Sequence, residues 1–176
     1  MLRKWYPRAY AGDVFLIDYQ KLYDKGYRGI VFDVDNTLVH HGDDSTPQID
    51  ALFRYIQHIG FKTVLLSNND SARLERFLRN IDSPYVADAN KPEPAGYEKA
   101  LALLGISKEQ SVCIGDQLFT DICGANRCGI DSILVHYITV HDKEKIGIRR
   151  HMEKCILFFF RFRRKYHKLE DVVIKE

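Results

Sequence analysis

Two aspartates stand two positions apart directly after an apolar run, and they are the residues here most able to do chemistry. The run is Gly29–Phe32, and Asp33 and Asp35 follow it. Two carboxylates at the end of a buried strand need positive charge to compensate them. Mg²⁺ is the usual partner because it prefers carboxylate and backbone oxygens together with water. A carboxylate beside such a cation can attack phosphorus and become an aspartyl phosphate.

Other polar residues follow other apolar runs, where strands are expected to end. Ser67 and Asn68 end the second run, Asp116 ends the fourth, and Lys91 lies in the loop after the third. Each has an ordinary structural explanation when taken alone: Ser67 as a helix cap, Lys91 as a solvated loop lysine, Asp116 as a turn residue. In a doubly wound sheet, ligands bind outside the carboxyl ends of the strands. The joint placement of these residues therefore predicts one site at that edge.

Continuous Val/Ile/Leu runs alternate with helical patterns along the chain. This order predicts an α/β fold, a doubly wound parallel five-stranded sheet flanked by helices. Thr46 is expected to cap the helix that starts at Pro47, and Gly60 to end it. The predicted strands are 29–34, 63–67, 85–87, 112–115 and 132–135, and the predicted helices are 18–25, 47–59, 71–80, one ending near 104, and 121–127.

Composition indicates one soluble globular domain. The 176 residues are 45% hydrophobic and 28% charged, with a net charge of +2. We expect an aromatic-rich segment packed on the core (1–28), a catalytic core (29–140) and a basic amphipathic segment (141–176). No signal peptide and no apolar run of the ~20 residues that span a membrane is expected. The four cysteines form no C-x-x-C pair, which favours core residues in a reducing, cytoplasmic compartment.

Four stretches of the chain resemble the motifs of the haloacid dehalogenase (HAD) superfamily of aspartate-nucleophile phosphatases. The resemblance spans roughly residues 15–140 and implies a Mg²⁺-dependent phosphatase with a Rossmann-like fold. The matching stretches are Asp33-Val34-Asp35-Asn36-Thr37-Leu38, Leu65-Leu66-Ser67-Asn68-Asn69, Lys91-Pro92, and Gly115-Asp116-Gln117-Leu118-Phe119-Thr120-Asp121.

The resemblance also implies a role for each acidic residue. Asp33 would be the nucleophile and a Mg²⁺ ligand, and Asp116 the remaining side-chain ligand. Asp35 would be the general acid and base, and only its backbone carbonyl would touch the metal. Asp121 would bind the metal through water or from a second shell, unless it only caps the following helix.

The remaining implied roles concern the phosphoryl group. Ser67 and the backbone of Asn68 would donate to its oxygens, and Lys91 would neutralise their charge. His40 and His41 lie near the site; a polar flap loop is favoured over metal binding for this pair, with a substrate contact as a further alternative.

The spacing between the motifs leaves no room for the cap domain that usually selects substrates in this superfamily. Only a short loop separates Leu38 from Pro47, and 23 residues separate Ser67 from Lys91. A site without a lid suits a phosphate carried on something large, such as a protein, a nucleic acid end or a lipid headgroup. A small substrate stays an alternative if a neighbouring subunit covers the site.

Residues 149–168 carry eight Lys or Arg and one acidic residue. On a helix, its bulky apolar residues form one stripe, with the basic residues mainly across from it. This pattern predicts a helix on an anionic membrane surface, or one that packs on the sheet or on a second subunit of a homodimer. Nucleic-acid binding is less favoured, because Phe158, Phe159 and Phe160 are too apolar. The stripe comprises Ile148, Met152, Cys155, Phe159, Phe162 and Tyr166, and the basic residues are Arg150, Lys154, Arg161, Lys165 and Lys168.

Within the superfamily, the chain is most similar to the capless subfamily IIIA and its YqeG group, which resembles phosphatidylglycerophosphate phosphatases. The leading interpretation is therefore a Mg²⁺-dependent phosphatase acting on this lipid, cytoplasmic or peripheral on the inner face of a membrane. One alternative is a capless phosphatase of a phosphoprotein, nucleotide or nucleic acid end. Another is a catalytically silent membrane- or RNA-binding protein, which would have no need of the three clustered aspartates.

Overall fold

The computed structural model of the chain describes residues 2–138 and 147–174. Its strands are β1 (Ala9–Ala11), β2 (Gly29–Phe32), β3 (Lys62–Leu66), β4 (Tyr85–Val86), β5 (Ser111–Gly115) and β6 (Asp131–Val135). They form one parallel sheet in the order β1-β6-β5-β2-β3-β4. The expected α/β fold is therefore confirmed, and β2 lies inside the sheet with neighbours on both sides.

Helices flank this sheet and connect its strands. The α-helices are α1 (Tyr19–Asp24), α2 (Pro47–Ile59), α3 (Ser71–Phe77), α4 (Pro94–Leu104), α5 (Cys123–Cys128) and α6 (Ile148–Phe160). A π-helical turn covers Leu118–Ile122, directly before α5. Single 3₁₀ turns cover Leu2–Trp5, Val14–Leu16, Leu78–Asn80, Lys108–Gln110, Arg164–Tyr166 and Glu170–Val172.

The prediction of five strands is wrong, because the aromatic-rich N-terminal segment adds a sixth. Strand β1 pairs with β6 in parallel, with Ala9 opposite Ile133. Three residues are too few to show a strand pattern, so only pairing with β6 reveals this edge strand. The segment is thus part of the sheet as well as packed on it.

The ends of α2 follow from its sequence as expected. The Thr46 hydroxyl accepts a hydrogen bond from the backbone N–H of Ile49 at 3.3 Å, and Pro47 is the first helical residue. Gly60 ends the helix with φ of 114°, a left-handed conformation that glycine adopts without steric cost.

The sheet separates two apolar layers, and β2 contributes to both. Ile30 and Phe32 pack into one layer and Val31 into the other, and all three are fully buried. Successive side chains of a strand point to opposite faces, which accounts for this division. Burial on both faces holds the end of β2, and with it Asp33, in one place.

The C-terminal helix is shorter than predicted, and the alternative in which its apolar stripe packs on the sheet is wrong. Helix α6 ends at Phe160, and its buried residues are Glu153, Ile156 and Phe160. Met152 and Phe162, from the predicted stripe, are exposed. The chain leaves the helix after Phe160, so the helical spacing that defined the stripe does not continue. One side of α6 packs on the protein, whereas its aromatic side faces outward.

No helix within residues 2–138 or 147–174 has the length and apolar character needed to cross a membrane.

Candidate active site

The carboxyl ends of three neighbouring strands bring the predicted polar residues together. Asp33 follows β2, Ser67 follows β3 and Asp116 follows β5. In the register of the sheet, Phe32 lies opposite both Leu65 and Ile114, so the three strands end at one level.

The Asp33 carboxylate is buried and held from both sides. Its Oδ1 accepts a hydrogen bond from Lys91 Nζ at 2.6 Å, and its Oδ2 accepts one from Thr37 Oγ1 at 2.8 Å. Burial raises the pKa of Asp33 to about 6, although Lys91 and Thr37 oppose the rise. The geometry therefore fixes the orientation of this carboxylate while burial makes its charge costly.

Three buried aspartates form an acidic cluster: ligand oxygens of Asp33, Asp116 and Asp121 lie within 4.8 Å of one another. Two cations reach this cluster. Lys91 Nζ also binds Asp121 Oδ1, at 2.7 Å, and Arg150 of α6 forms an ion pair with Asp116. Among the described residues, three carboxylates outnumber these two cations, and Arg150 is shared with Glu153. The cluster therefore keeps uncompensated negative charge, and its donor set fits a divalent metal ion with oxygen ligands.

Burial, and then the charges of Asp33 and Asp121, raise the pKa of Asp116 to about 8, against the effect of Arg150. For Lys91, burial disfavours the charged form, but Asp121 and Asp33 outweigh it and raise the pKa. The metal-free cluster thus favours a proton on a carboxyl group, which a bound cation would replace.

Asp121 packs closely against the end of β5. Its Oδ2 accepts a hydrogen bond from the backbone N–H of Gln117 at 3.0 Å. A Cβ atom on Gly115 would stand 2.5 Å from Asp121 Cβ, so only glycine fits there. The Asp121 carboxylate therefore lies beside those of Asp33 and Asp116, so it does more than cap the following helix.

Asp35 lies outside the acidic cluster but lines the same cavity. Its carboxylate accepts hydrogen bonds from Asn69 Nδ2 at 2.5 Å, Arg73 Nη2 at 2.9 Å and the backbone N–H of Gly42 at 3.2 Å. Burial would raise the pKa of Asp35, but these donors outweigh it and lower the pKa. His41 is mostly exposed, and its Nδ1 lies 3.1 Å from Asp35 Oδ2. The two motif aspartates therefore have different environments.

The polar residues after β3 face the same space. Ser67 Oγ accepts hydrogen bonds from the backbone N–H of Asn69 at 3.1 Å and from Asn69 Nδ2 at 3.0 Å. The hydroxyl hydrogen of Ser67 is then available for donation. Asn68 Oδ1 accepts a hydrogen bond from the backbone N–H of Lys91 at 2.7 Å, which ties the second and third motifs together.

A cavity of about 170 Å³ opens above these groups and is large enough for a phosphate. Asp116 does not line it, whereas the other predicted site residues do. The lining comprises Asp33, Asp35, Asn36, His41, Ser67, Asn68, Asn69, Lys91, Gln117, Thr120 and Asp121.

Sequence reasoning did not assign four side chains that contact the predicted residues. Thr37 and Asn69 lie inside the motifs. A hydroxyl and an amide so close to the motif aspartates could have been predicted to donate hydrogen bonds to them. Arg73 on α3 had no signal beyond its closeness to the second motif. Arg150 had been grouped with the basic residues across from the predicted apolar stripe, and nothing in the sequence connects it with Asp116.

Comparison with known proteins agrees with this geometry. Residues 88–146 match a family model described as HAD-hydrolase-like. The Probable phosphatase YqeG of Bacillus subtilis is 33% identical over 159 residues, which cover 89% of this chain and 92% of that protein. Phosphatidylglycerophosphate phosphatase 1, chloroplastic, of Chlamydomonas reinhardtii is 30% identical over 146 residues, covering 76% and 53%.

A solved structure shows the same fold. The crystal structure of an uncharacterized protein from Listeria monocytogenes serotype 4b matches with a TM-score of 0.53 at 19% identity, over 77% of this chain and 99% of that one. The residues on the sheet edge, the family model and the similarity to YqeG along most of both chains lead to one conclusion: this chain belongs to the haloacid dehalogenase superfamily and is a phosphomonoester hydrolase.

Proposed function

We propose that this phosphatase uses Mg²⁺, forms an aspartyl phosphate on Asp33 and hydrolyses phosphatidylglycerophosphate at a membrane surface. The observation that carries the proposal is the placement of the Asp33 carboxylate in the wall of a phosphate-sized cavity, between Lys91 and Thr37. A nucleophile for phosphorus needs this combination of fixed direction and nearby positive charge.

Asp33, Asp116 and Asp121 are the side chains that would hold Mg²⁺, and the Asp35 carbonyl is the expected backbone ligand. When bound, the ion would supply positive charge to the phosphoryl oxygens and to the carboxylates. The uncompensated negative charge of the cluster supports this assignment.

The proposed reaction has two steps. In the first, a carboxylate oxygen of Asp33 attacks phosphorus, the bond from phosphorus to the leaving oxygen breaks, and Asp35 gives that oxygen its proton. In the second, Asp35 takes a proton from water, which attacks the same phosphorus and releases phosphate from Asp33. Ser67, the Asn68 backbone N–H and Lys91 would hold the phosphoryl oxygens in both steps.

The lowered pKa of Asp35 bears on its two tasks. In the free protein the donors around Asp35 favour its carboxylate form, which is the form that accepts a proton from water. The first step needs the protonated form, so substrate must bring in a proton or bind when Asp35 carries one. Loss of the Asp35 proton should therefore slow the first step, most with leaving groups that need protonation.

The absence of a cap supports a phosphate carried on a large molecule. Within the described residues, 33–46 between β2 and α2 form a short loop, and only α3 and a 3₁₀ turn lie between β3 and β4. The cavity therefore stays open on one side. Similarity to a protein named as a phosphatidylglycerophosphate phosphatase supports a phospholipid as this molecule.

The exposed phenylalanines at the end of α6 and just after it support a location at an anionic membrane. Phe158, Phe159 and Phe162 are 56%, 54% and 71% exposed, and the Phe158 ring meets the other two edge to face. Exposed arginines follow, among them Arg161 and Arg163. Bulky rings beside arginines suit the boundary of anionic lipid headgroups, where each basic side chain contributes about 1 kcal/mol.

Phosphate release from phosphatidylglycerophosphate in mixed micelles tests the chemistry. The wild-type protein should release phosphate only with Mg²⁺, and Asp33→Asn should be folded but inactive. Full activity of Asp33→Asn would contradict the nucleophile assignment. A nucleotide or phosphopeptide hydrolysed faster than the lipid would instead favour the alternative substrates.

Vesicle sedimentation tests the membrane surface. Wild-type protein should sediment with vesicles that contain phosphatidylglycerol and much less with pure phosphatidylcholine. A Phe158→Ser, Phe162→Ser double variant should lose most of this binding. Phe15→Ser is the matched control, since Phe15 is 49% exposed elsewhere on the protein. Equal binding by the double variant and the control would exclude α6 as the contact.

A further inference from the structure

The inner side of α6 packs on the segment that follows β5. Ile156 and Phe160 are buried in one apolar cluster with Leu118 and Ile122 of the π-helical turn and with Tyr6. The turn begins two residues after Asp116, so α6 is in contact with the segment that carries two aspartates of the acidic cluster.

Arg150, in the first turn of α6, binds Asp116 through two different groups. Its Nη2 donates to the Asp116 carboxylate, and its Nη1 donates to the Asp116 backbone carbonyl at 2.7 Å. The guanidinium also lies 4.5 Å from the centre of the Tyr137 ring, which limits its movement. A guanidinium held over a ring and bonded to both the carbonyl and the carboxylate restrains the side-chain torsions of Asp116.

Glu153 completes the contact one turn later. It is 6% exposed, and both of its carboxylate oxygens are used. Its Oε2 accepts from Arg150 Nη1 at 2.9 Å, and its Oε1 accepts from the backbone N–H of Leu118 at 2.8 Å. We call this set of bonds from Arg150 and Glu153 to residues 116–118 the α6 clamp.

The clamp leaves one oxygen of Asp116 directed at the nucleophile. Arg150 binds Oδ2, whereas Oδ1 lies 3.4 Å from Thr37 Oγ1, which itself donates to Asp33. One oxygen of the Asp116 carboxylate thus contacts α6, and the other faces the acidic cluster.

We propose that Arg150 and Glu153 are positioning residues of the active site: the α6 clamp holds Asp116 so that its Oδ1 can bind the divalent cation. This inference rests on the proposed metal dependence and adds to it, since it makes the C-terminal helix part of the metal site. Outer partners of a metal ligand set its orientation, and their loss typically costs about 10- to 100-fold in metal affinity or activity.

Mn²⁺ binding, followed by the electron paramagnetic resonance of the free ion, tests the clamp without turnover. Arg150→Gln should raise the Mn²⁺ dissociation constant by about 10-fold or more. Arg149→Gln is the matched control, because Arg149 is the adjacent, exposed arginine, and its constant should not change. Arg150→Lys keeps the charge but loses the two separate donor nitrogens of the guanidinium, so its Mn²⁺ dissociation constant should lie between these two values.

Two further readouts separate positioning from general structural support. Activity of Arg150→Gln should recover at saturating Mg²⁺, whereas a structural defect would lower it at every Mg²⁺ concentration. In metal-free protein, Glu153→Ala should accelerate hydrogen exchange at the Leu118 amide, which loses its acceptor.

The outcomes distinguish this inference from the proposed function. If wild-type protein binds no divalent cation, the metal-dependent mechanism and the clamp are both wrong. If wild type binds Mn²⁺ and Arg150→Gln binds it within twofold of Arg149→Gln, only the clamp is wrong.

Discussion

Replacing Asp116 with asparagine should stabilise the metal-free protein at neutral pH. Asp116 shares a buried cluster with Asp33 and Asp121, and the described cations that reach it, Lys91 and Arg150, leave negative charge uncompensated. Burial and these neighbours raise the pKa of Asp116 from 3.8 to about 8. Asparagine has a similar shape and can still accept a hydrogen bond from Arg150, but it brings no charge into the cluster.

The sign and size of the effect follow from proton linkage. A carboxyl group with a raised pKa holds its proton more tightly in the folded state, so stability falls as pH rises from 3.8 towards about 8. By pH 7 about three pKa units have been crossed, which amounts to a loss on the order of 4 kcal/mol. For a chain of this length, that corresponds to roughly 8–16 °C in melting temperature.

Thermal unfolding in EDTA from pH 4 to pH 8 provides the measurement. The melting temperatures of wild type and Asp116→Asn should be close at pH 4 and diverge as pH rises, with Asp116→Asn the more stable. Asp44→Asn is the control, because Asp44 pairs with Arg76 at the surface. At pH 8, Mg²⁺ should stabilise wild type much more than Asp116→Asn. Parallel pH dependence of wild type and Asp116→Asn would refute the charge argument.

Three further predictions concern the groups around the cluster. Asp35→Asn should lower kcat by about 10²- to 10⁴-fold for an alkyl phosphate and less for p-nitrophenyl phosphate, whose leaving group needs no proton; equal losses would remove its role as the acid. Arg73→Gln should raise the pKa of Asp35, because it removes a donor to the carboxylate, and shift the fall of kcat to higher pH, as pH–rate profiles would show; an unshifted profile would mean that Asp35 does not control it. Gly115→Ala should push against Asp121, cost about 1–3 kcal/mol in chemical denaturation and weaken Mn²⁺ binding; unchanged stability would show that the segment can move aside.

The sequence by itself determined five of the six strands and the set of residues at their carboxyl ends. Apolar runs followed by Asp33, Ser67 and Asp116 were sufficient, because the carboxyl ends of parallel strands meet at one edge whatever the details of packing. Thr46 and Gly60 likewise set the ends of α2 through local hydrogen bonds and backbone conformation. Each strand end and each helix end depends on a short stretch of the chain, so it can be predicted without knowing the rest of the fold.

Tertiary structure alone decided how distant segments complete that edge. Strand β1 joins the sheet only by pairing with β6, more than a hundred residues away. The sequence shows that α6 has arginines and phenylalanines, but not which side of the helix packs on the protein. With Ile156 and Phe160 buried against Leu118 and Tyr6, Arg150 faces Asp116 and Phe158 faces outward. Arg150 and Asp116 are 34 positions apart, and their contact depends on the direction in which α6 docks. The local sequence pattern does not predict that direction.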